Sequence, residues 1–216
     1  MELKWTPAIT EWGSYYKATN YSSHSIKYKH KIIENYLKET NSKAVWDMGG
    51  NTGLFSRIAG NLGIPTISFD IDPVAIEKNY RECVKNQEKN LLPLFLDLTN
   101  PTPSIGWANK ERLSLMQRGP TDTILALALI HHLAISNNVP LNMIADFFYS
   151  LCRALIIEWI PKSDSNVKRL LTTREDIFPN YTQTGFEQAF KPYFKTVQKK
   201  LIKGSKRTLY LMEALK

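Results

Sequence analysis

Val45-Trp46-Asp47-Met48-Gly49-Gly50-Asn51-Thr52-Gly53-Leu54-Phe55-Ser56 is the stretch whose reading decides the fold. A short apolar run carrying an acid enters a glycine-rich turn, and a helical pattern follows. Glycine reaches positive φ without strain and lets a backbone come close to a ligand. In open α/β sheets such ligands lie beyond the carboxyl ends of the strands, where the strand order reverses.

The same turn disfavours two phosphate binders. A dinucleotide fingerprint counted from Gly49 needs glycine where this chain has Asn51 and Leu54. A P-loop needs a Gly-Lys-Ser/Thr that does not follow. Asp47 would also repel a phosphate at close range, whereas it suits a cation. S-adenosylmethionine, with its sulfonium and ammonium, is a ligand of that kind. A tight strand–helix turn that binds nothing remains the plain alternative.

Outward from this turn, short apolar runs at 44–46, 66–69, 92–96, 123–128 and 155–159 alternate with helical patterns at 25–38, 53–62, 73–85 and 141–151. Near-continuous apolar strands separated by helices imply a parallel sheet covered on both faces. After a helix at 183–190, two further strands at 194–202 and 207–215 flank Lys203-Gly204-Ser205-Lys206 and read as a hairpin. The expected fold class is therefore α/β: a Rossmann-like, doubly wound seven-stranded sheet, mostly parallel, with a C-terminal antiparallel hairpin.

Two more acids end neighbouring strands. Asp70, in Ile67-Ser68-Phe69-Asp70-Ile71-Asp72-Pro73, is placed to hydrogen-bond a ribose diol, while Asp72 caps the helix that Pro73 opens. Asp97 ends the third strand, where it can accept from an adenine amino group with Leu98 beside the ring. Three acids at three successive strand tips, one next to a glycine turn, make the conjunction.

These residues resemble the class I S-adenosylmethionine-dependent methyltransferases. Asp47 to Gly53 is similar to their first motif, with Asn51 in place of its usual middle glycine. Leu125-Ala126-Leu127-Ala128-Leu129-Ile130-His131-His132-Leu133 resembles the stretch after the fourth strand in many small-molecule members. Thr19-Asn20-Tyr21-Ser22, Asp97 to Pro101, Ile105 to Asn109, Pro161 to Asp164 and Arg174 to Pro179 extend the likeness along nearly the whole chain. They are similar to the methyltransferase domain of nodulation-protein-like bacterial enzymes, relatives of which often carry a long additional N-terminal region. The resemblance implies the fold and the cofactor, S-adenosylmethionine, and leaves the acceptor open. Expected cofactor contacts are Asn20, Tyr21, Asp47, Gly49, Gly50, Asn51, Gly53, Asp70, Ile71, Asp97, Leu98 and Ala128. Residues 1–40 read as an N-terminal extension and helix on the lid and substrate side, and 41–216 as the cofactor-binding methyltransferase domain.

Methyl transfer asks the protein to align an acceptor, exclude water and sometimes remove a proton. His131, His132 and Glu158, near the ends of the fourth and fifth strands, are the candidate catalytic groups. Each also suits a structural role at its strand end. The stretch 107–118 and the loop 161–164 are expected to border the acceptor pocket. Apolar Leu127-Ala128-Leu129-Ile130 stands where amino-directed enzymes of this fold place Asn-Pro-Pro-Tyr, which disfavours such acceptors. No histidine has metal-ligand spacing, so no metal is expected.

The chain has 216 residues and a formal charge of +8, enough for one sizeable domain with a bias toward anionic partners. A small polar or anionic acceptor is the leading reading, RNA the alternative, and a catalytically inactive cofactor-binding module the third. Two cysteines without CxxC spacing, no signal-peptide pattern and no apolar run of about 20 residues point to a cytoplasmic protein away from membranes. The oligomeric state is not legible.

Overall fold

The computed structural model describes Thr10 and residues 22–216, so the expectations on Asn20 and Tyr21 lie outside the described residues. Helix α1 (Ser23–Thr40) begins where the Ser22 side chain accepts the Ser25 N–H and ends at Asn41, which turns left-handed at φ 47°. These caps extend it two residues beyond the apolar periodicity at each end. Its stripe of Ile32, Ile33, Tyr36 and Leu37 is buried. Each such aliphatic residue contributes about 1.5–3 kcal/mol when fully removed from water.

Strands β1 (Val45–Met48), β2 (Thr66–Asp70), β3 (Leu91–Phe95), β4 (Thr121–Ala126) and β5 (Cys152–Trp159) pair in parallel. The last two, β6 (Phe194–Leu201) and β7 (Thr208–Ala214), form the expected hairpin, and β7 enters antiparallel to β5. The sheet order is β3-β2-β1-β4-β5-β7-β6. Chain order reverses between β1 and β4, which opens a crevice above their carboxyl ends. Lysines 195, 199 and 200 line the outer strand β6, where charge discourages further strand addition.

Helices α2 (Ser56–Asn61), α3 (Pro73–Asn86), α4 (Leu115–Arg118), α5 (Leu141–Leu151), α6 (Ser165–Leu171) and α7 (Gln183–Phe190) complete the layers. Residues 49–55 are turn rather than helix, so α2 starts three residues later than its periodicity suggests. Asp72 caps α3 as expected, accepting from Val74 and Ala75. Helices α4 and α6 are too short for a periodic signal, and side-chain caps at Ser114 and Asp164 start them.

One core lies between α1, α2 and the sheet, joining Ile33, Leu37 and Ile58 to Val45, Leu125 and Ile156. On the opposite face Trp159 stacks on Phe186 at 5.2 Å and meets Tyr181 at 4.6 Å, with Phe148 in the same cluster. Among the described residues no helix is long and apolar enough to cross a membrane.

Candidate active site

The turn after β1 is pinned to β2. Gly49 and Gly50 both donate to the Phe69 carbonyl at 2.9 Å. Asn51, where the resemblance expected glycine, sits at φ 51°. Asparagine is among the few side chains that tolerate this left-handed region, so the replacement keeps the turn. Asn51 N–H then donates to Asp70 Oδ2 at 2.8 Å.

A cavity of about 410 Å³ opens above the carboxyl ends of β1, β2, β3 and β4, a size ordinary for a cofactor site. Asp47, Gly49, Gly50 and Asn51 form its floor. Asp70 and Ile71 come from the tip of β2, Asp97 and Leu98 from beyond β3, and Ala128 from beyond β4. Gly53 is not in the lining, and a Cβ there would meet Asn79 and Arg57 within 2.6 Å.

The three acids differ. Asp47 is buried; its Oδ2 accepts from Ser56 Oγ at 2.6 Å, and its Oδ1 has no hydrogen-bond partner among the described residues. Burial pushes its pKa up to about 6, against the pull of Ser56 and of Lys29. Asp70 is also raised by burial, opposed by N–H bonds from Asp72 and Asn51. Asp97 is half-buried and accepts from the Thr99 N–H and hydroxyl at 2.8 and 2.7 Å.

S-adenosylmethionine fits these groups. An orphaned, buried carboxylate oxygen in a cavity wall calls for a cationic donor. Asp70 accepts backbone N–H bonds and keeps lone-pair capacity to accept from a ribose hydroxyl. Asp47, Asp70, Asp97 and the Gly49–Gly50 backbone would hold the group, with Ile71 and Leu98 offering apolar cover. Among the described residues no cluster of three or more histidines, cysteines or acids could hold a metal ion.

No model of a known protein family matches the chain. Nodulation protein NoeA of Rhizobium meliloti (strain 1021) is 39% identical over 203 residues, 94% of this chain and 42% of that protein. The N-methyltransferase NodS from Bradyrhizobium japonicum WM9 superposes with a TM-score of 0.62 at 12% identity, over 90% of this chain and 99% of NodS. Magnesium protoporphyrin IX methyltransferase ChlM from Synechocystis PCC 6803, solved with bound SAH, gives 0.61 at 13%, over 92% and 90%. The chain is similar to NoeA over those 203 residues, and its fold is the one that NodS and ChlM share.

The chain spans less than half the length of the curated relative it matches. Its expected catalytic groups separate in space. His132 lines the cavity beside Leu133, Ser136 and Asn137, in a single π-turn (His132–Ser136). His131 is 1% exposed, outside the lining, with neither ring nitrogen hydrogen-bonded among the described residues. Burial, more than the adjacent His132, holds its pKa well below the usual histidine range. Glu158 is fully buried and also outside the lining, accepting from Lys29 Nζ at 2.7 Å and Ala128 N–H at 2.8 Å. Neither 107–118 nor 161–164 contributes to the wall, contrary to expectation. The Ile105–Arg112 bridge folds the first stretch on itself, and Asp164 turns instead to Arg207.

Lys29 is the charged residue of the lining that the sequence pattern does not single out. It enters the cavity wall from α1, its ammonium 4.3 Å from the Phe55 ring centroid. Burial lowers its pKa, opposed by Glu158. In sequence it is one of several spread lysines; only its place on the buried stripe, four residues after Ser25 and three before Ile32, distinguishes it.

Asp70 ties the turn to β2 as well as facing the cavity, so its truncation disturbs both. Asp70→Asn, which keeps one accepting oxygen, should weaken S-adenosylhomocysteine binding by about 10-fold in calorimetry with little change in Tm. Asp70→Ala should lower Tm as well, because two buried N–H groups lose their acceptor. Equal affinity in Asp70→Asn and the parent would remove Asp70 from the ligand's partners.

Proposed function

We propose that this chain is an S-adenosylmethionine-dependent methyltransferase acting on a small, polar or anionic molecule in the cytoplasm. The observation that carries the reading is the buried Asp47 oxygen without a hydrogen-bond partner among the described residues, set in a cavity with Asp70 and Asp97 at the next two strand tips. The bound cofactor supplies an electrophilic methyl group on sulfur. The chain's own part is to orient, to keep water out and to accept a proton.

His132 is the group placed for the last task. Burial pushes its pKa down to about 4, with Arg169 and Arg207 adding to the fall. It is therefore neutral at pH 7, the protonation state that a base requires. Two nearby cations that hold a histidine low also favour an anionic acceptor, whose charge would raise the imidazole back toward the working range. Arg174, which bonds the Ile135 and Ser136 carbonyls and Asn138 Oδ1, adds positive charge behind the same wall.

The test is transfer of a labelled methyl group from the cofactor into fractionated cell extract, with identification of the labelled product. Label in RNA, with affinity falling steeply as salt rises, would replace the small-molecule reading. Binding without label in any fraction would favour an interaction module. Once an acceptor is in hand, His132→Ala should lower kcat by roughly 100-fold or more while leaving cofactor affinity within about twofold. His131→Ala should leave the chemistry intact. Full turnover in His132→Ala would leave that ring a wall and nothing more.

A further inference from the structure

We infer that Glu158 is a positioning residue: together with Lys29 of α1, its carboxylate holds Ala128 in a left-handed turn and thereby sets the cavity wall against the glycine turn. Glu158 stands on β5 facing α1, and one oxygen, Oε2, takes both the Lys29 ammonium at 2.7 Å and the Ala128 N–H at 2.8 Å. Arg207 Nη1 stands 3.8 Å from the other oxygen and is itself held by Asp164. Glu158 is absent from the cavity lining, whereas Lys29 and Ala128 both belong to it.

Ala128 has φ 50°, a region in which a side chain with a Cβ is strained. Such a residue persists where its surroundings over-determine it, and these turns gather at ligand walls. Here the surroundings are a part-buried, charge-assisted hydrogen bond to its amide. The consequence shows one residue later. Leu129 Cδ1 lies 3.3 Å from where a Cβ on Gly49 would stand, so the loop after β4 packs directly on the cofactor turn. Leu127, Ala128 and Leu129 all face the cavity. A line of contacts thus runs from α1 through Lys29, Glu158, Ala128 and Leu129 to Gly49. The N-terminal helix, which lends Ile26 and Lys29 to the lining, thereby also shapes the wall opposite it.

The inference rests on the cofactor reading for its affinity measurement and stands apart from it in its second readout. The experiment compares the full chain with Lys29→Met/Glu158→Leu, which removes both charges together and leaves no buried ammonium unpaired. A third protein adds Ala128→Gly. Amide hydrogen exchange at residue 128 and calorimetric affinity for S-adenosylhomocysteine are measured on each. The Ala128 amide should exchange about 10-fold or more faster in the double variant, and affinity should fall about 10-fold. Glycine at 128 adopts the turn unaided, so it should bring affinity back to within about threefold of the parent. A purely structural role for the ion pair predicts no rescue by glycine, and that result overturns the inference. Should the double variant fail to fold, the parent decides: an Ala128 amide that exchanges as fast as exposed loop amides overturns it, and one protected like β5 supports it. A parent that does not bind the nucleoside refutes the cofactor reading, while the exchange result still judges the clamp.

Discussion

Asp47→Asn should lower affinity for S-adenosylmethionine by roughly 10- to 150-fold and at the same time raise the stability of the ligand-free protein. Both effects come from one carboxylate. Oδ2 is satisfied by Ser56, but Oδ1 is buried without a hydrogen-bond partner among the described residues. A charge-assisted bond to such an oxygen contributes about 1.5–3 kcal/mol, which is the stated range in affinity. Asparagine keeps the shape and removes the charge.

The stability effect follows from proton linkage. Burial raises the Asp47 pKa from 3.8 to about 6 in the folded protein. The folded state therefore holds the proton more tightly than the unfolded one, and ionisation opposes folding. The penalty is absent below pH 4, grows between pH 4 and 6, and stays constant above. At pH 7 it is about 3 kcal/mol, and the neutral amide escapes it. Thermal melts of the parent should rise relative to Asp47→Asn as pH falls from 7 to 4.5, and the two curves should converge. Affinity unchanged by Asp47→Asn would dismiss the residue as the cation's partner.

What the sequence made legible here is what is local. The strand–turn–helix at 45–61 and the acids at 47, 70 and 97 sit in contiguous patterns whose period and end signals can be read directly. The β6–β7 hairpin is legible for the same reason, through Lys203-Gly204-Ser205-Lys206. Its insertion with β7 next to β5 is not, because strand order is set by pairing across 50 or so residues that leaves no periodic trace. The ion pair of Lys29 with Glu158 spans 129 positions, so only its place on the buried stripe of α1 separates Lys29 from Lys27 and Lys31. His131 and His132 illustrate another limit. Adjacent residues at the start of a π-turn point in different directions, and which one faces the cavity depends on how Leu133 and Ile135 pack, not on the dipeptide. The short loop 161–164 could be placed near the site but not aimed, since Asp164 is committed to the buried Arg207.

Gly50→Ala should abolish measurable cofactor binding and lower stability by about 1–3 kcal/mol, although it adds a single methyl group. Its backbone is not the reason, since Gly50 is not among the residues with positive φ. The obstacle is space. A Cβ there would stand 2.3 Å from Ser68 Oγ, 3.0 Å from Ser56 Oγ and 3.1 Å from Asp47 Oδ2. Those atoms cannot retreat freely. Ser68 and Ser56 are fully buried and bonded to one another at 2.9 Å, Ser56 also holds Asp47, and Asn79 donates to Ser68 at 3.2 Å. The methyl group would push on the network that aims Asp47 into the cavity, so stability and binding should fall together. Ser68→Ala removes the nearest obstacle and leaves two contacts that need only a few tenths of an ångström. Gly50→Ala/Ser68→Ala should therefore recover much of the Tm lost by Gly50→Ala, beyond the additive sum of the two single changes. Asn51→Gly, at a position that is left-handed already, should bind as the parent does within about threefold. Strict additivity in the double variant would show that Gly50 is needed for something other than the room it leaves between Ser56 and Ser68.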